Sequence, residues 1–262
     1  MTHEELTEQT EQEESLAVAA QWVAAAKNIV VLTGAGISAE SGVPTFRDAQ
    51  TGFWSQYRPE DMASQAGYRA NPTMVWRWYE YRRALVAKVQ PNAGHHALAV
   101  FEHAHPGQIT LVTQNVDGLH QRAGSTDVLC LHGELNKQVW LDKPRDCCHI
   151  EFAEAGEPPQ CSVCGNLVRP GVVWFGEALP YRTFERAQQA AEQCDLMLVV
   201  GTAGAVYPAA GLARVAARVG AKVVIVNPAP SELDDAADLI LRCSASVALP
   251  WILASGDTRL AA

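Results

Sequence analysis

The feature that most constrains the fold is a buried strand that runs directly into a glycine-rich turn. The β-branched run Ile29–Thr33 is followed by Gly34-Ala35-Gly36, and such a run is typical of a strand covered on both faces. Two glycines at this place permit a tight turn and let backbone N–H groups approach an anion closely. The spacing Gly34-x-Gly36-x-x-Ala39 is a weak dinucleotide fingerprint, because an ordinary tight turn has the same composition.

Strand-like and helix-like segments alternate along much of the chain. Apolar runs at 108–113, 126–131, 196–200, 222–226 and 239–241 predict strands, and helical patterns at 72–85, 92–103, 183–193 and 207–219 accompany them. This alternation predicts an α/β fold with a doubly wound, mainly parallel, Rossmann-like sheet. Ligands bind such sheets at the carboxyl ends of the strands. The turn residues expected to converge there are Gly34, Asn115, His132, Gly201 and Asn227.

Three regions depart from the alternating pattern. Residues 1–14 are rich in Glu, Gln and Thr, which predicts a mobile acidic N-terminus before a helix that starts at Ser15. Residues 49–91 predict a helical lid inserted into the main domain, which comprises 15–135 and 171–262. Residues 136–170 are polar and contain four of the seven cysteines, so they predict a small inserted module.

Size and charge limit the partners. The 262 residues suit one large α/β domain or a large and a small domain together. The net charge of −9 argues against nucleic acid as a direct partner. No apolar run is long enough to span a bilayer, and the acidic first residues lack the features of a signal or transit peptide. We therefore expect no membrane partner and a cytoplasmic location.

Several ordered sequence blocks carry a family resemblance. Residues 34–47 resemble the nucleotide-binding signature of the sirtuins, the NAD-dependent protein lysine deacylases. Later blocks agree in family order: Thr-Gln-Asn-Val-Asp-Gly-Leu-His at 113–120, Leu-His-Gly at 131–133, Val-Val-Trp-Phe-Gly-Glu at 172–177 and Gly-Thr at 201–202. The resemblance extends over residues 28–250. It implies NAD-dependent removal of acyl groups from protein or peptide lysines, with release of nicotinamide and O-acyl-ADP-ribose.

The resemblance also implies an NAD site. Phe46 and Arg47 would lie beside the nicotinamide ribose, and Asp117 would bond the nicotinamide carboxamide in a pocket that Ile37 lines. Ala203 departs from the family pattern, which commonly has Ser-Ser after the Gly-Thr pair, so hydroxyl contacts to the cofactor would be missing. The implied cofactor-binding residues are Gly34, Ala35, Gly36, Ile37, Glu40, Thr45, Phe46, Arg47, Gln114, Asn115, Val116, Asp117, Gly201, Thr202, Ala203, Asn227 and Ala245.

The resemblance assigns catalysis to His132 and Asn115. His132 follows a predicted strand and precedes Gly133, and its ordinary pKa of about 6.5 suits proton transfer at neutral pH. A histidine at a strand end is more often structural, and the surrounding family block is what favours a general base. Asn115 would orient the ribose or a water molecule.

The predicted lid helix carries a pattern that bears on the acyl group. Tyr79-Glu80-Tyr81-Arg82 matches the Tyr-x-x-Arg pattern of the class III sirtuins, which include desuccinylases. Positions i and i+3 share a helix face, so both side chains reach one carboxylate. This favours succinyl and malonyl groups, with acetyl also accepted; the alternative is an aromatic stripe with a solvated arginine. The other implied substrate-binding residues are Val173, Trp174, Phe175, Gly176, Glu177 and Tyr207.

The inserted module departs furthest from the family, which usually has two CxxC pairs. Here only Cys161-Ser162-Val163-Cys164 is intact, and Cys147-Cys148 with His149 replaces the other pair. Adjacent cysteines are poorly suited to bind the same tetrahedral zinc, so one of them with His149 is an alternative ligand set. The predicted metal ligands are Cys161, Cys164, Cys147 and Cys148, in a zinc-ribbon-like module or a degenerate one held by packing.

Other functions remain open on the residues. ADP-ribosyl transfer or NAD hydrolysis on the same scaffold shares the first chemical step with deacylation. A dehydrogenase would need an acidic ribose-binding residue about 20 positions after the glycines, and Glu60 and Asp61 are poorly placed for it. A non-catalytic NAD sensor is disfavoured by the intact His132 and Asn115.

Overall fold

The computed structural model describes residues 3–43, 55–149 and 156–254, with no side chains for 3–9. Three residues predicted to bind the cofactor, Thr45, Phe46 and Arg47, lie outside the described residues, as does the segment 49–54 of the predicted lid.

The described part of the chain has eight strands, of which six occur where the sequence predicts them; those at Gly133–Trp140 and Val168–Val172 were not predicted. The eight strands are β1 (Ile29–Thr33), β2 (Ile109–Thr113), β3 (Val128–Cys130), β4 (Gly133–Trp140), β5 (Val168–Val172), β6 (Leu196–Val200), β7 (Lys222–Val226) and β8 (Leu239–Leu241). In the described part of the chain, six of them form one sheet in the order β3-β2-β1-β6-β7-β8. Every neighbouring pair in this sheet is parallel. The predicted doubly wound α/β class is confirmed, and the strand order reverses between β1 and β6.

The helices of the described residues are α1 (His3–Ala25), α2 (Ala35–Ala39), α3 (Pro59–Met62), α4 (Gln65–Ala70), α5 (Pro72–Ala87), α6 (Ala93–Ala104), α7 (Leu119–Ala123), α8 (Tyr181–Gln193), α9 (Gly211–Arg218) and α10 (Ala245–Ile252). Asn71 caps α5 through its side chain, with Pro72 in the first turn, as expected for a helix start. In the described residues, no helix combines the length and apolar character needed to cross a membrane. The cytoplasmic location stays a prediction.

The predicted start of the first helix at Ser15 is wrong, because α1 begins at His3. Glutamate and glutamine have good helix propensity, so an acidic, polar segment extends a helix that is anchored further along. The anchoring comes from Leu16, Ala20 and Val23, which are buried in the core. Residues 10–14 are exposed, and the mobility of this end stays a prediction.

The central strands are buried on both faces, as their β-branched sequence predicts. Every residue of β1 and β6 is buried. Side chains alternate between the two faces: Val31 packs into the cluster covered by α1, α6 and α10, whereas Val30 packs into the cluster covered by α8 and α9. The sheet is therefore a rigid platform, and its carboxyl edge is the place where side chains can be presented to a ligand.

A second sheet of two strands, the β4–β5 ribbon, lies outside this platform. Strands β4 and β5 pair antiparallel and enclose most of the predicted module 136–170. The extent of that module as a domain stays a prediction. A third apolar cluster joins the ribbon and the loop after β5 to the lid helices, and its largest members are Trp78, Trp174, Tyr68 and Tyr79. The lid helices, the two strands β4 and β5 and the loop after β5 therefore form a second wall opposite the sheet edge, which we call the inserted wall.

Candidate active site

A cleft of about 380 Å³ lies between the carboxyl edge of the sheet and the inserted wall. Residues from the predicted cofactor, catalytic and substrate groups meet in it, although they come from distant parts of the chain. The predicted site residues that line the cleft are Ala35, Gln114, Asn115, Val116, Asp117, His132, Tyr79, Arg82, Val173, Trp174, Phe175, Gly176, Glu177 and Tyr207.

The glycine turn after β1 packs against the loop after β6. The backbone N–H of Gly34 donates to Val200 O at 2.9 Å, and that of Gly36 donates to Gly201 O at 2.7 Å. A Cβ on Gly36 would lie 2.7 Å from the Gly201 Cα, closer than two carbon atoms pack. The expectation that these two N–H groups face a phosphate is therefore wrong; the glycines serve the close approach of two backbones. Among the described residues, the N–H of Ala35 has no partner.

Asn115 and Asp117 are held by a network centred on Ser38, which the sequence analysis did not single out. The Asn115 Nδ2 donates to Gly34 O at 3.0 Å and to Ser38 Oγ at 3.1 Å. Ser38 in turn donates to Asp117 Oδ2 at 2.8 Å, and burial raises the pKa of Asp117. Because Gly34 O only accepts, the amide orientation follows, and the Asn115 carbonyl oxygen is the atom left for a ligand.

Two further histidines lie behind this network, and no role was predicted for them. The His95 Nδ1 accepts from the Asn92 backbone N–H, so its Nε2–H faces Ser38 Oγ at 3.4 Å. The His120 Nε2 lies 3.0 Å from Thr33 Oγ1. Burial lowers the pKa of His95 to about 4 and that of His120 to about 3. Both rings are therefore neutral near pH 7. In the sequence, His120 ends the motif block 113–120, whereas His95 lies in none of the motif blocks.

His132 is oriented by the backbone of the neighbouring strand. Its Nδ1 lies 2.9 Å from Gln114 O, and since a carbonyl only accepts, Nδ1 carries the proton and Nε2 is the basic atom. Burial lowers the pKa of His132, while the bond to Gln114 opposes this. Gly133 has φ +77, and a Cβ there would clash with Gly171 O, which explains the glycine after the histidine.

Tyr79 and Arg82 project from α5 into the opposite side of the cleft. The Arg82 guanidinium carbon lies 5.9 Å from the Tyr79 ring centroid. Burial lowers the pKa of Arg82, whereas the nearby Asp117 carboxylate opposes this. Burial also raises the pKa of Tyr79, so its hydroxyl is protonated at neutral pH. The pattern of positions i and i+3 therefore brings a cation and a hydroxyl to one wall of the cleft.

Glu177 is bound within the wall by other protein groups. Its carboxylate forms a bidentate ion pair with Arg169 and accepts from the Trp174 backbone N–H at 2.9 Å and from Gln65 Nε2 at 2.9 Å. Arg169 is buried and also donates to Val172 O. Arg169, which sequence analysis missed, thus shapes the loop after β5. Phe175 and Tyr207 are exposed at the rim, at 58% and 59%.

The remaining predicted cofactor residues lie beyond the cleft. The Glu40 carboxylate accepts from the Ser246 hydroxyl at 2.7 Å and from its N–H at 3.1 Å. Asn227 Nδ2 donates to Ala229 O. Ile37, predicted to line the nicotinamide pocket, is fully buried in the core and does not line the cleft, and its role stays a prediction. The predicted residues that do not line the cleft are Gly34, Gly36, Ile37, Glu40, Gly201, Thr202, Ala203, Asn227 and Ala245.

The four predicted metal ligands meet at the tip of the ribbon. The Sγ atoms of Cys147, Cys148, Cys161 and Cys164 all lie within 4.8 Å of one another, and those of Cys148 and Cys164 are 3.6 Å apart. Thiolates at about 2.3 Å from a tetrahedral zinc lie about 3.8 Å apart, so the cluster fits that ion. Adjacent cysteines are in general poorly suited to share one ion, but the chain turns here and brings the sulfur atoms of both Cys147 and Cys148 into the cluster, whereas His149 is not in it. Binding of zinc by these four cysteines stays a prediction.

Comparison with known proteins adds to this geometry. A sequence model of the Sir2 family matches residues 34–208. An NAD-dependent protein deacylase of Ralstonia nicotianae is 56% identical over 238 residues, which are 91% of this chain and 96% of that protein.

Solved structures give the same result. A Sir2 homologue in complex with NAD is 40% identical, with a TM-score of 0.79 over 89% of this chain and 91% of that one. The structure of Sir2Af2 bound to a myristoylated histone peptide is 38% identical, with a TM-score of 0.72 over 92% and 95% of the two chains.

Proposed function

The chain belongs to the Sir2 family, and we propose that within this family it favours acidic acyl groups, such as succinyl and malonyl, over acetyl. It is an NAD-dependent protein deacylase, and its partners are acyl-lysine proteins or peptides. The single observation that carries the acyl preference is the pairing of Arg82 and Tyr79 on the inserted wall of the cleft.

The residues at the sheet edge fit NAD. Asn115 keeps a free carbonyl oxygen at the cleft, and Ala35 keeps a free backbone N–H there among the described residues. When bound, NAD supplies the anomeric carbon that nicotinamide leaves and that the acyl oxygen joins. We assign Asp117 and Asn115 to the nicotinamide end, and Gly201, Thr202 and Asn227 to the adenosine end. Phe46 and Arg47 are assigned on sequence alone.

His132 is proposed to move the proton. Its Nδ1 is committed to Gln114 O, so only Nε2 is free to accept a proton from a ribose hydroxyl. The lowered pKa keeps Nε2 unprotonated at neutral pH. The backbone bond holds the ring in this tautomer, so no side-chain carboxylate is needed to orient the base.

The acyl preference follows from charge in a buried wall. Arg82 is a permanent cation, and Tyr79 adds a hydroxyl donor beside it. An acyl carboxylate placed between them gains two charge-assisted hydrogen bonds, whereas an acetyl methyl group gains none. The cationic side chain also disfavours a long apolar acyl chain at this wall.

The four cysteines are proposed to hold a structural zinc ion. Their sulfur atoms have the spacing of a tetrahedral site. The ion would close the tip of the β4–β5 ribbon and would take no part in the reaction.

The test compares NAD-dependent deacylation of succinyl-lysine and acetyl-lysine peptides by the wild type and Arg82→Met. We expect the wild type to prefer succinyl, and the variant to lose roughly 10- to 100-fold of the succinyl-to-acetyl ratio of kcat/KM, because one charged hydrogen-bond donor is gone. Arg77→Met is the matched control. It removes a cation from the same helix, where the side chain is exposed and pairs with Glu157.

An acetyl preference that Arg82→Met leaves unchanged would make the pair structural and the protein an ordinary deacetylase. Nicotinamide release without turnover of either peptide would instead favour NAD hydrolysis or ADP-ribosyl transfer.

A further inference from the structure

A buried hydrogen bond joins the two elements of the inserted wall. The Trp174 indole Nε1–H donates to the Tyr79 hydroxyl at 2.8 Å, and the two side chains are 2% and 1% exposed. An indole N–H only donates. The Tyr79 oxygen therefore has to accept this bond, and the polarity of its hydroxyl is settled by Trp174.

Because the Tyr79 oxygen accepts from Trp174, the Tyr79 hydroxyl proton is left to find a separate acceptor. Among the described residues, no acceptor lies within hydrogen-bond range of it, although the ring is buried. Tyr79 lines the cleft together with Arg82 and Trp174. A carboxylate only accepts hydrogen bonds, so an acidic acyl group supplies what this hydroxyl lacks, whereas an acetyl methyl group does not.

The indole is itself held by two neighbouring side chains. The Arg169 guanidinium carbon lies 3.7 Å from the Trp174 ring centroid, and the Tyr68 ring centroid lies 5.2 Å from it. The Trp174 backbone N–H also donates to Glu177, the ion-pair partner of Arg169. A ring fixed in this way holds its N–H in one direction, at little further cost in side-chain entropy.

We propose that Trp174 is a positioning residue for acidic acyl groups: its indole N–H turns the Tyr79 hydroxyl so that the hydroxyl proton points at the acyl carboxylate. The inference rests on the proposed preference for acidic acyl groups. It assigns to Trp174 a polar role in addition to lining the cleft. The Tyr79 hydroxyl accepts from Trp174 and donates towards the ligand.

The test is a double-mutant cycle with Trp174→Phe, Tyr79→Phe and the combined variant, assayed on succinyl-lysine and acetyl-lysine peptides. Phenylalanine keeps an aromatic ring at position 174 and removes the donor. We expect Trp174→Phe to lower the succinyl-to-acetyl ratio of kcat/KM by about 3- to 10-fold, mainly through KM for the succinyl peptide. In the Tyr79→Phe background the same change should leave the ratio unaltered, because the acceptor is already gone.

Trp76→Phe is the matched control, since Trp76 is a buried tryptophan on the same helix as Tyr79 and does not line the cleft. It should leave the ratio at the wild-type value. A second measurement needs no change at Trp174: in Tyr79→Phe, one indole 15N–1H resonance should move upfield and exchange faster with solvent. This arm still tests the hydrogen bond if Trp174→Phe fails to fold.

Three results would overturn the inference. If the wild type prefers succinyl and Trp174→Phe keeps that ratio, the inference fails and the proposed function stands. A ratio lowered equally in both backgrounds, or no indole resonance that responds to Tyr79→Phe, also rejects it alone. If the wild type has no preference for succinyl, the acyl preference and this inference fail together.

Discussion

The two walls of the cleft are held by different kinds of contact. On the sheet edge, His132 bonds to the backbone carbonyl of Gln114, and Asn115 bonds to that of Gly34. On the inserted wall, Tyr79 bonds to the side chain of Trp174, and the Arg82 guanidinium lies near the rings of Trp78 and Tyr79. The side chains of the sheet edge are therefore oriented by backbone groups at the ends of parallel strands. Those of the inserted wall are oriented by packing between a helix and a loop.

This difference separates the reaction from its specificity. A group that is oriented by the backbone at the end of a strand does not reorient unless that strand moves. Every residue of β1 is buried, as are the last three residues of β2. A group that is oriented by another side chain changes with a single substitution. We therefore expect changes on the sheet edge to affect all acyl substrates equally, and changes on the inserted wall to alter their ratio.

The largest effect is expected at the sheet edge. His132→Ala should lower kcat for succinyl and acetyl peptides alike, by about 10²- to 10⁴-fold, because the proposed base is removed. The measurement is steady-state deacylation of both peptides at saturating NAD. His103→Ala is the matched control, since His103 is an exposed histidine on α6. A loss of kcat for only one of the two acyl peptides would contradict the expectation that the sheet edge affects all acyl substrates equally.

A smaller effect is expected from the ribbon, which supports the inserted wall and supplies no strand to the main sheet. Cys161→Ser should lower the bound zinc to well below one ion per chain and lower the melting temperature. For a chain of this size, each kcal/mol lost corresponds to about 2–4 °C. Metal analysis and thermal unfolding measure both changes.

Ligand affinities of the Cys161→Ser variant also distinguish the inserted wall from the sheet edge. Acyl-peptide affinity should weaken more than NAD affinity, both measured by calorimetry, because the sheet edge does not depend on the ribbon. Cys243→Ser, outside the cluster, is the control. A wild-type protein with no zinc, or an NAD affinity that falls as far as peptide affinity, contradicts the prediction.

The smallest effect is a shift in the acid limb of activity. Burial lowers the pKa of His132 from its ordinary 6.5, so the neutral base persists to lower pH than in a free histidine. The acid limb of kcat/KM for an acetyl peptide should therefore be centred below pH 6.5. A pH profile of the wild type measures this, and an acid limb centred above 6.5 would refute it.

Stability has to be followed over the same range of pH. The folded-state pKa values of His95 and His120 are also lowered, to about 4 and about 3. Their contribution to stability is complete above about pH 6.5 and is lost as the pH falls towards those values, because the unfolded chain binds the protons first. Melting temperatures along the profile separate unfolding from titration of His132.

Much of this molecule was predictable from local pattern. The runs at Ile29–Thr33, Leu196–Val200 and Lys222–Val226 are strands with the predicted bounds, because β-branched apolar runs of this length fit a sheet that is covered on both faces. Asn71 and Asn92 cap the helices that they were expected to start, because capping depends on neighbouring residues alone.

Long-range contacts were not predictable in this way. The start of α1 at His3 was missed because marginal helix propensity is decided by packing further along the chain. Ser38 and Arg169 were missed because their partners, Asp117 and Glu177, are identified only once the fold brings them together. The use of the Gly34 and Gly36 N–H groups also depended on a loop more than 160 residues away.

The sequence by itself determined the sheet, its glycine turn, the ordered motif blocks and the Tyr79/Arg82 pattern, because each depends on residues close together in the chain. The tertiary structure alone decided which atoms remain free. It committed His132 Nδ1 to Gln114 and the Tyr79 oxygen to Trp174, and so left one basic nitrogen and one donor proton for ligands. The physical reason is that the direction of a hydrogen bond is set by its partner, and these partners meet only in the folded chain.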